Sequence, residues 1–160
     1  MEDASINRRI DTASRIIMAL PQTIYQSFLK SENLVSWLPP KGMSGHIETF
    51  DPREGGGYRM TLIYEIEHSN SGKTTANTDV VQAKFLEFVP DKRIVQSVTF
   101  NSDDPAFSGE MIQKWLLEPE PSSGGTTVTI VCENVPKGIR KEDHDIGLRS
   151  TLENLALYTE

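Results

Sequence analysis

Apolar and polar residues alternate along several short segments in the middle of the chain. The clearest segment covers residues 58–68, where apolar side chains from Tyr58 to Ile66 occupy every second position. A period of two is typical of a β-strand with one buried face. The same pattern recurs at residues 80–88, 94–100, 111–117 and 126–135. Because the intervening loops are short, we predict a meander of about six antiparallel strands.

A further strand is predicted before this meander, at residues 6–17. This segment mixes Ile10, Thr12, Ile16 and Ile17 with charged residues, which indicates a strand with one buried face. The first strand is therefore separated from the others along the chain.

Two short helices are predicted between the first strand and the meander. Pro21 suits the first turn of a helix, and apolar residues recur at helical spacing as far as Leu29. Ser31 is a typical N-cap for a second helix, which Pro39 and Pro40 would end.

The period becomes helical again after Pro136. The apolar residues of this segment share one helix face and are Ile139, Leu148, Leu152, Leu155 and Ala156. They predict a long C-terminal helix that covers the apolar face of the sheet. We therefore expect an α+β fold in one domain over residues 1–160.

Charge and composition exclude several function classes. The chain carries a net charge of −7 and has a pI near 5.0, so its field repels phosphate backbones and anionic lipids. No apolar run reaches membrane-spanning length, and Cys132 is the only cysteine. We therefore expect no nucleic-acid partner, no membrane insertion and a cytoplasmic location.

Several short motifs, taken with this order of elements, are similar to those of one known family. They are Pro21, Trp37-Leu38-Pro39-Pro40, Gly42-Met43, Asp51, Arg53, Gly55-Gly56-Gly57-Tyr58-Arg59, Gly124-Gly125-Thr126, and His144 with Gly147. Over nearly its whole length the chain resembles the domain related to the activator of the heat-shock-ninety ATPase, within the SRPBCC superfamily. The resemblance implies a helix-grip fold, in which a curved antiparallel sheet of six or seven strands wraps around the C-terminal helix.

The same resemblance implies a largely apolar cavity between sheet and helix, as in START domains, birch-pollen-allergen-like proteins and polyketide cyclases. Many relatives look as though they carry Trp directly after the glycine of the final helix, whereas Leu148 follows Gly147 here. A smaller side chain at this place would enlarge or reshape the cavity.

The inward-facing strand residues are the candidates for the cavity wall. They are Tyr58, Met60, Tyr64, Phe85, Phe100, Met111 and Trp115, with Leu148 and Leu152 of the last helix closing the cavity and Trp37 at one end. The alternative is that these residues are ordinary core. Tyr58, Tyr64 and Gln113 could present polar groups to a ligand, or bond to backbone or water.

The sequence contains no recognisable catalytic, metal or cofactor motif. His46, His68 and His144 lie in different elements and lack the spacing of metal ligands. His144 could act as an acid or base, although a surface histidine at a helix start is commoner. The glycines at residues 55–57 precede a strand, so they predict a hairpin turn or bulge rather than a phosphate loop. We predict no cofactor.

Three functions stay open from the sequence. The first is binding of an apolar or aromatic small molecule between sheet and helix. The second, implied by the resemblance, is binding to a heat-shock-ninety chaperone, although the eukaryotic activator looks like a two-domain protein and this chain resembles only its C-terminal domain. The third is a cyclase-like enzyme using Tyr64 or Glu65, which alternation places on opposite faces. A homodimer through edge strands is a further possibility.

Overall fold

The computed structural model describes residues 9–65 and 77–160. Its elements, in chain order, are β1 (Ile10–Ile17), α1 (Pro21–Gln26), α2 (Ser31–Trp37), β2 (Met43–Phe50), β3 (Gly57–Tyr64), β4 (Thr78–Val89), β5 (Arg93–Phe100), β6 (Met111–Glu120), β7 (Gly125–Glu133) and α3 (Lys141–Thr159). A single 3₁₀ turn, Pro105–Phe107, lies between β5 and β6. The predicted order of strand, two short helices, strands and a long helix is confirmed.

The strands form one sheet with antiparallel neighbours in the order β1-β7-β6-β5-β4-β3-β2. Two irregularities interrupt the pairing, between Ile47 and Thr49 in β2 and between Phe85 and Glu87 in β4. Bulges of this kind increase local twist and bend a strand. Helix α3 packs along β1 and against α1 and α2, so the sheet and the two short helices together enclose it in a helix-grip fold.

Strand β2 is the seventh strand, beyond the six that alternation predicted individually. Its inward-facing side carries Gly45, which interrupts the apolar pattern. A Cβ at this glycine would lie 2.8 Å from the Pro39 ring, so the glycine lets the segment after α2 approach the sheet. The first and third strands were predicted over residues 6–17 and 58–68. Arg9 and Glu65 lie just outside β1 and β3, and residues 6–8 and 66–68 lie outside the described residues.

Strand β1 has one buried face, as predicted, and the structure shows which residues lie on it. Asp11, Ala13 and Ile17 are buried, whereas Ile10 and Ile16 are about half exposed, at 55% and 51%. The cause is the period of two: Ile17 lies opposite Thr126 on β7, and every second residue before it faces the same way. Two isoleucines therefore lie on the outer face.

An aromatic cluster fills the interior between the short helices and the sheet. Phe28, Trp37 and Trp115 contact one another edge to face, with ring centroids 4.9 to 5.4 Å apart. Trp37 also donates a hydrogen bond from Nε1 to the carbonyl oxygen of Ser27 at 3.2 Å. Buried tryptophans need such a polar partner. This cluster closes one end of the inward face.

Polar contacts fix α3 against the segment that follows α2. Thr151 Oγ1 donates to the Leu38 carbonyl at 3.0 Å, and Asn154 Nδ2 donates to the Pro39 carbonyl at 2.9 Å. Because a helix cannot continue through two prolines, these carbonyl groups are free to accept from side chains of α3. Within residues 9–65 and 77–160, no helix combines the length and apolar character needed to cross a bilayer.

Candidate functional site

All the predicted cavity residues lie on the inward side of the fold. The strand members share one face of the sheet through the pairing of β3 to β6, while Trp37 comes from α2 and Leu148 and Leu152 come from α3. Those that are almost completely buried are Trp37, Tyr58, Met60, Phe85, Met111, Trp115, Leu148 and Leu152. These side chains keep little accessible surface, so they pack mainly against protein.

The remaining two predicted residues, Tyr64 and Phe100, are only half buried. Leu62 and Gln113 share the inward face with them and also keep accessible surface. We call the part of the inward face at Leu62, Tyr64, Phe100 and Gln113, where side chains keep accessible surface, the cleft. Most of the predicted residues are thus packed, and only Tyr64 and Phe100 keep accessible surface. The role of all ten residues in binding stays a prediction.

A row of polar side chains crosses the inward face beside the cleft. Asp11, Cys132, Gln113 and Gln96 lie directly opposite one another on β1, β7, β6 and β5. Gln96 Nε2 donates to Gln113 Oε1 at 2.7 Å, and the Tyr58 hydroxyl lies 3.3 Å from Gln96 Nε2. We call these four residues the polar row. Its position in a mostly apolar interior makes it the chemically distinctive part of this face.

Gln113 is the branch point of the polar row. Its Oε1 accepts from both Gln96 and Trp115, whose Nε1 lies 3.1 Å away. Its Nε2 donates to the sulfur of Cys132 at 3.6 Å, and thiol sulfur is a weak acceptor. The amide oxygen is thus saturated, while the amide nitrogen retains donor capacity beside the cleft.

Asp11 ends the polar row in an ionic cluster with Arg9 and His144. Arg9 donates to both carboxylate oxygens at 2.7 and 3.1 Å, and His144 Nδ1 lies 2.6 Å from Asp11 Oδ2. Arg9 also bonds the carbonyl oxygen of Ile139. Burial alone would raise the pKa of Asp11, but the hydrogen bonds from Arg9 and His144 outweigh burial and hold that pKa below its ordinary value. The cluster thereby joins β1 to the start of α3.

This contact corrects the interpretation of His144 as a surface residue. Its side chain is only 13% exposed because it packs against the buried carboxylate of Asp11. Its partner lies 133 positions away in the sequence, so the spacing of residues within the helix does not reveal this contact.

Tyr58, Tyr64 and Cys132 stay in their neutral forms near pH 7. Burial raises the pKa of Tyr58 to about 12, and burial likewise raises the pKa of Cys132 to about 12. Burial, with the charge of Asp79, also raises the pKa of Tyr64, whose hydroxyl donates to Asp79 at 2.9 Å. These groups are suited to hydrogen bonding rather than to proton transfer at neutral pH.

Two surface pockets lie apart from the cleft. One, of about 240 Å³, lies between β1 and α3 and is lined by Ile10, Asp11, Thr12, Lys141, Asp145 and Leu148. The other, of about 170 Å³, lies between α2 and β2 and is lined by Ser31, Glu32, Val35, Gly45, His46 and Ile47. The part of the chain that the structure describes holds no cluster of three or more acidic, histidine or cysteine side chains arranged for a metal ion.

Sequence reasoning missed Gln96 and Asp11 as members of the site. Gln96 stands between Ile94 and Val98 at a period of two, so alternation already placed it inward. Asp11 is a charged residue between Ile10 and Thr12, and the mixed pattern of this strand does not show which of its faces is buried. An inward polar residue within an apolar strand was the signal available in both cases.

Comparisons with known proteins identify the family. The model of the Activator of Hsp90 ATPase homolog 1-like protein family matches residues 19–160. The search of curated proteins found no match.

Among solved structures, a crystal structure of a Chromobacterium violaceum protein is similar with 30% identity and a TM-score of 0.81, over 94% of this chain and 96% of that one. A Rhizobium loti protein has 22% identity and a TM-score of 0.71, over 96% and 98% of the two chains, and shows the same fold. Since the family match spans most of the sequence, the chain belongs to the family of Activator of Hsp90 ATPase homolog 1-like proteins.

Proposed function

We propose that this protein binds a small apolar or aromatic molecule that carries one hydrogen-bond acceptor, such as a carbonyl oxygen. The ligand's apolar body would lie in the cleft, between the inward face of the sheet and α3. Its acceptor would bond to the amide nitrogen of Gln113. The single observation that carries the proposal is a half-buried glutamine, with a saturated oxygen, on the inward face of a central strand.

The surroundings of Gln113 favour a ligand that is neutral and mostly apolar. Met111 lies two residues before Gln113 on β6, and Phe100 lies on the neighbouring strand β5, so a charged ligand would have to lose its hydration beside apolar side chains. Burial of apolar area would supply most of the affinity, at about 25 cal/mol per Å². The hydrogen bond to the amide would fix the ligand's orientation.

Ligand entry would require side chains to move, because most of the inward face is packed. Met60 and Met111 are buried at this place and have flexible, unbranched side chains that repack at low cost. Leu148 of α3 occupies less volume than a tryptophan would at the same position. These features support a cleft that widens when a ligand enters.

A matched pair of probes tests the proposal. 2-Acetylnaphthalene and 2-ethylnaphthalene are similar in size, and only the first carries a carbonyl oxygen. We expect Gln113→Leu to weaken the ketone about tenfold, the value of one lost hydrogen bond, and to change the hydrocarbon by less than about twofold. Isothermal titration calorimetry measures both affinities, and Gln22→Leu, at an exposed position of α1, is the matched control.

A second variant tests whether the ligand lies in the cleft, apart from whether Gln113 bonds its carbonyl oxygen. Phe100→Trp should weaken both probes, because the larger ring fills the cleft. If neither probe binds the wild-type protein, or if Gln113→Leu weakens both equally, the proposed recognition is wrong. Thermal unfolding of each variant shows whether the fold is retained, which matters because Gln113 also accepts from Trp115.

Binding to a heat-shock-ninety chaperone is the second candidate, and the description of the matching family favours it. A pull-down with purified chaperone tests this function directly. A stable complex that survives Gln113→Leu would place the chaperone contact outside the cleft, whereas absence of any complex would count against this candidate.

A further inference from the structure

No strand within residues 9–65 and 77–160 pairs with the outer edge of β1. Strand β1 stands at the end of the strand order and, among the described strands, pairs only with β7. Its pairing with β7 runs without interruption over all eight residues, Ile10–Ile17. On its outer face Ile10 and Ile16 are 55% and 51% exposed. A regular, partly apolar edge is a template for pairing with another strand.

The opposite edge of the sheet is protected. Strand β2 carries the irregularity between Ile47 and Thr49, and its outer face holds Glu48, which lies 3.7 Å from Arg59. Helix α2 packs against β2, and helix α3 packs along β1, so each edge strand has a helix beside it. A bulge is one of the usual means of preventing edge pairing. The uninterrupted pairing of β1 and its two exposed isoleucines therefore single out β1 as the edge suited to a partner.

We propose that two copies of this chain form a dimer through antiparallel pairing of their β1 strands, with Ala13 opposite Ala13 of the second copy. In this register Ile10 lies opposite Ile16 of the second copy, on the outer face of the joined sheet. Thr12 lies opposite Ser14, and Asp11 lies opposite Arg15. The arrangement is two-fold symmetric, so every contact occurs twice.

The alternation of side chains selects this register. A shift by one residue would place the inner face of one copy beside the outer face of the other. A shift by two residues keeps the faces aligned, but places Ile10 opposite Ser14 or Asp11 opposite Ile17. Only the proposed register pairs the two exposed isoleucines and also pairs opposite charges, both of which stabilise neighbouring strands.

Charge complementarity supports a second copy as the partner. Arg15 is exposed, and no ion pair involves it within the described residues. The pocket of about 240 Å³ beside β1 is lined by Asp145, by Lys141 and by Asp11, whose carboxylate already accepts from Arg9 and His144. Arg15 of the second copy would point toward this pocket. The apolar and ionic contacts would thus lie on opposite faces of the joined sheet.

Sedimentation equilibrium of the full chain over a wide concentration range tests the dimer. We expect the mass to rise from 17.9 kDa toward twice that value as concentration increases. Ile16→Lys should raise the dissociation constant at least about tenfold, because two lysines would meet two isoleucines. Ile63→Lys, at an outward position 39% exposed on the interior strand β3, is the matched control and should change nothing.

Cross-linking tests the register. A Thr12→Cys copy mixed with a Ser14→Cys copy should form a mixed disulfide, because directly opposite Cβ atoms lie about 4.5 to 5.5 Å apart. Neither variant should link efficiently to itself, since like positions are about 7 to 8 Å apart on the diagonal. A mass that stays at 17.9 kDa at every concentration, or a dimer that Ile16→Lys leaves intact, would overturn the proposal.

Discussion

Replacing Asp11 with asparagine should destabilise the protein strongly at neutral pH. The side chain is 5% exposed and accepts two hydrogen bonds from Arg9 and one from His144. Asparagine keeps one acceptor oxygen, but it presents an NH₂ group to the same donors. Since a hydrogen bond to a charged group contributes about 1.5 to 3 kcal/mol, we expect a loss of about 3 kcal/mol.

The pH dependence of this loss follows from the lowered pKa of Asp11. A carboxyl whose pKa is lower in the folded state stabilises the fold above its unfolded pKa, and this contribution disappears as pH falls through the folded pKa. The difference in the free energy of unfolding between wild type and Asp11→Asn should therefore have its full size at pH 7. It should begin to shrink below about pH 4, where the unfolded carboxyl takes up its proton.

Urea unfolding at pH 7, 5 and 3 measures these differences in the free energy of unfolding. Asp145→Asn is the matched control, because Asp145 forms a solvent-exposed pair with Arg149 at 3.0 Å. Such a pair contributes less than about 0.5 kcal/mol. Equal effects of the two substitutions at pH 7, or a constant effect of Asp11→Asn from pH 7 to 3, would refute the reasoning.

Further predictions concern buried groups and glycines. Because burial raises the pKa of Cys132 to about 12, the native thiol should react with Ellman's reagent at least about a hundredfold more slowly than the unfolded chain; similar rates would contradict its burial. Gly57→Ala should cost at least about 2 kcal/mol in urea unfolding, since the added Cβ would collide with the carbonyl oxygen of Ala83. Gly147→Ala should instead stabilise α3 by about 0.5 to 1 kcal/mol, because the added Cβ would have no described atom within 4 Å apart from the adjoining residues and the backbone of α3 itself. A loss from both alanines would contradict the assigned surroundings of Gly147.

The order of elements could be predicted from the sequence because it depends on local periods. Alternation located the strands from β3 to β7, and helical spacing located α3. Strand β2 was less evident because Gly45 makes room for Pro39, a contact made across the fold. The local sequence pattern shows which residues are apolar. It does not show where a segment distant along the chain, such as the one around Pro39, will pack closely against a strand.

The site was less predictable because its polar members depend on long-range partners. Asp11 can be buried only because Arg9 and His144 surround its carboxylate, and His144 lies on α3. Gln96 can be buried because Gln113 and Tyr58 satisfy its amide. The apolar residues of the inward face were found by periodicity, whereas these polar ones follow from pairing across several strands.

Asp11 connects the polar row, the β1–α3 contact and the proposed dimer edge, and concentration distinguishes the last of these from the others. The bonds to Arg9 and His144 lie within one chain, so their loss lowers stability equally at every protein concentration. A contact with Arg15 of a second copy would add a contribution that grows with concentration. If Asp11→Asn destabilises the protein equally at low and high concentration while Arg15→Glu only weakens association, Asp11 stabilises the single chain and Arg15 acts in the dimer.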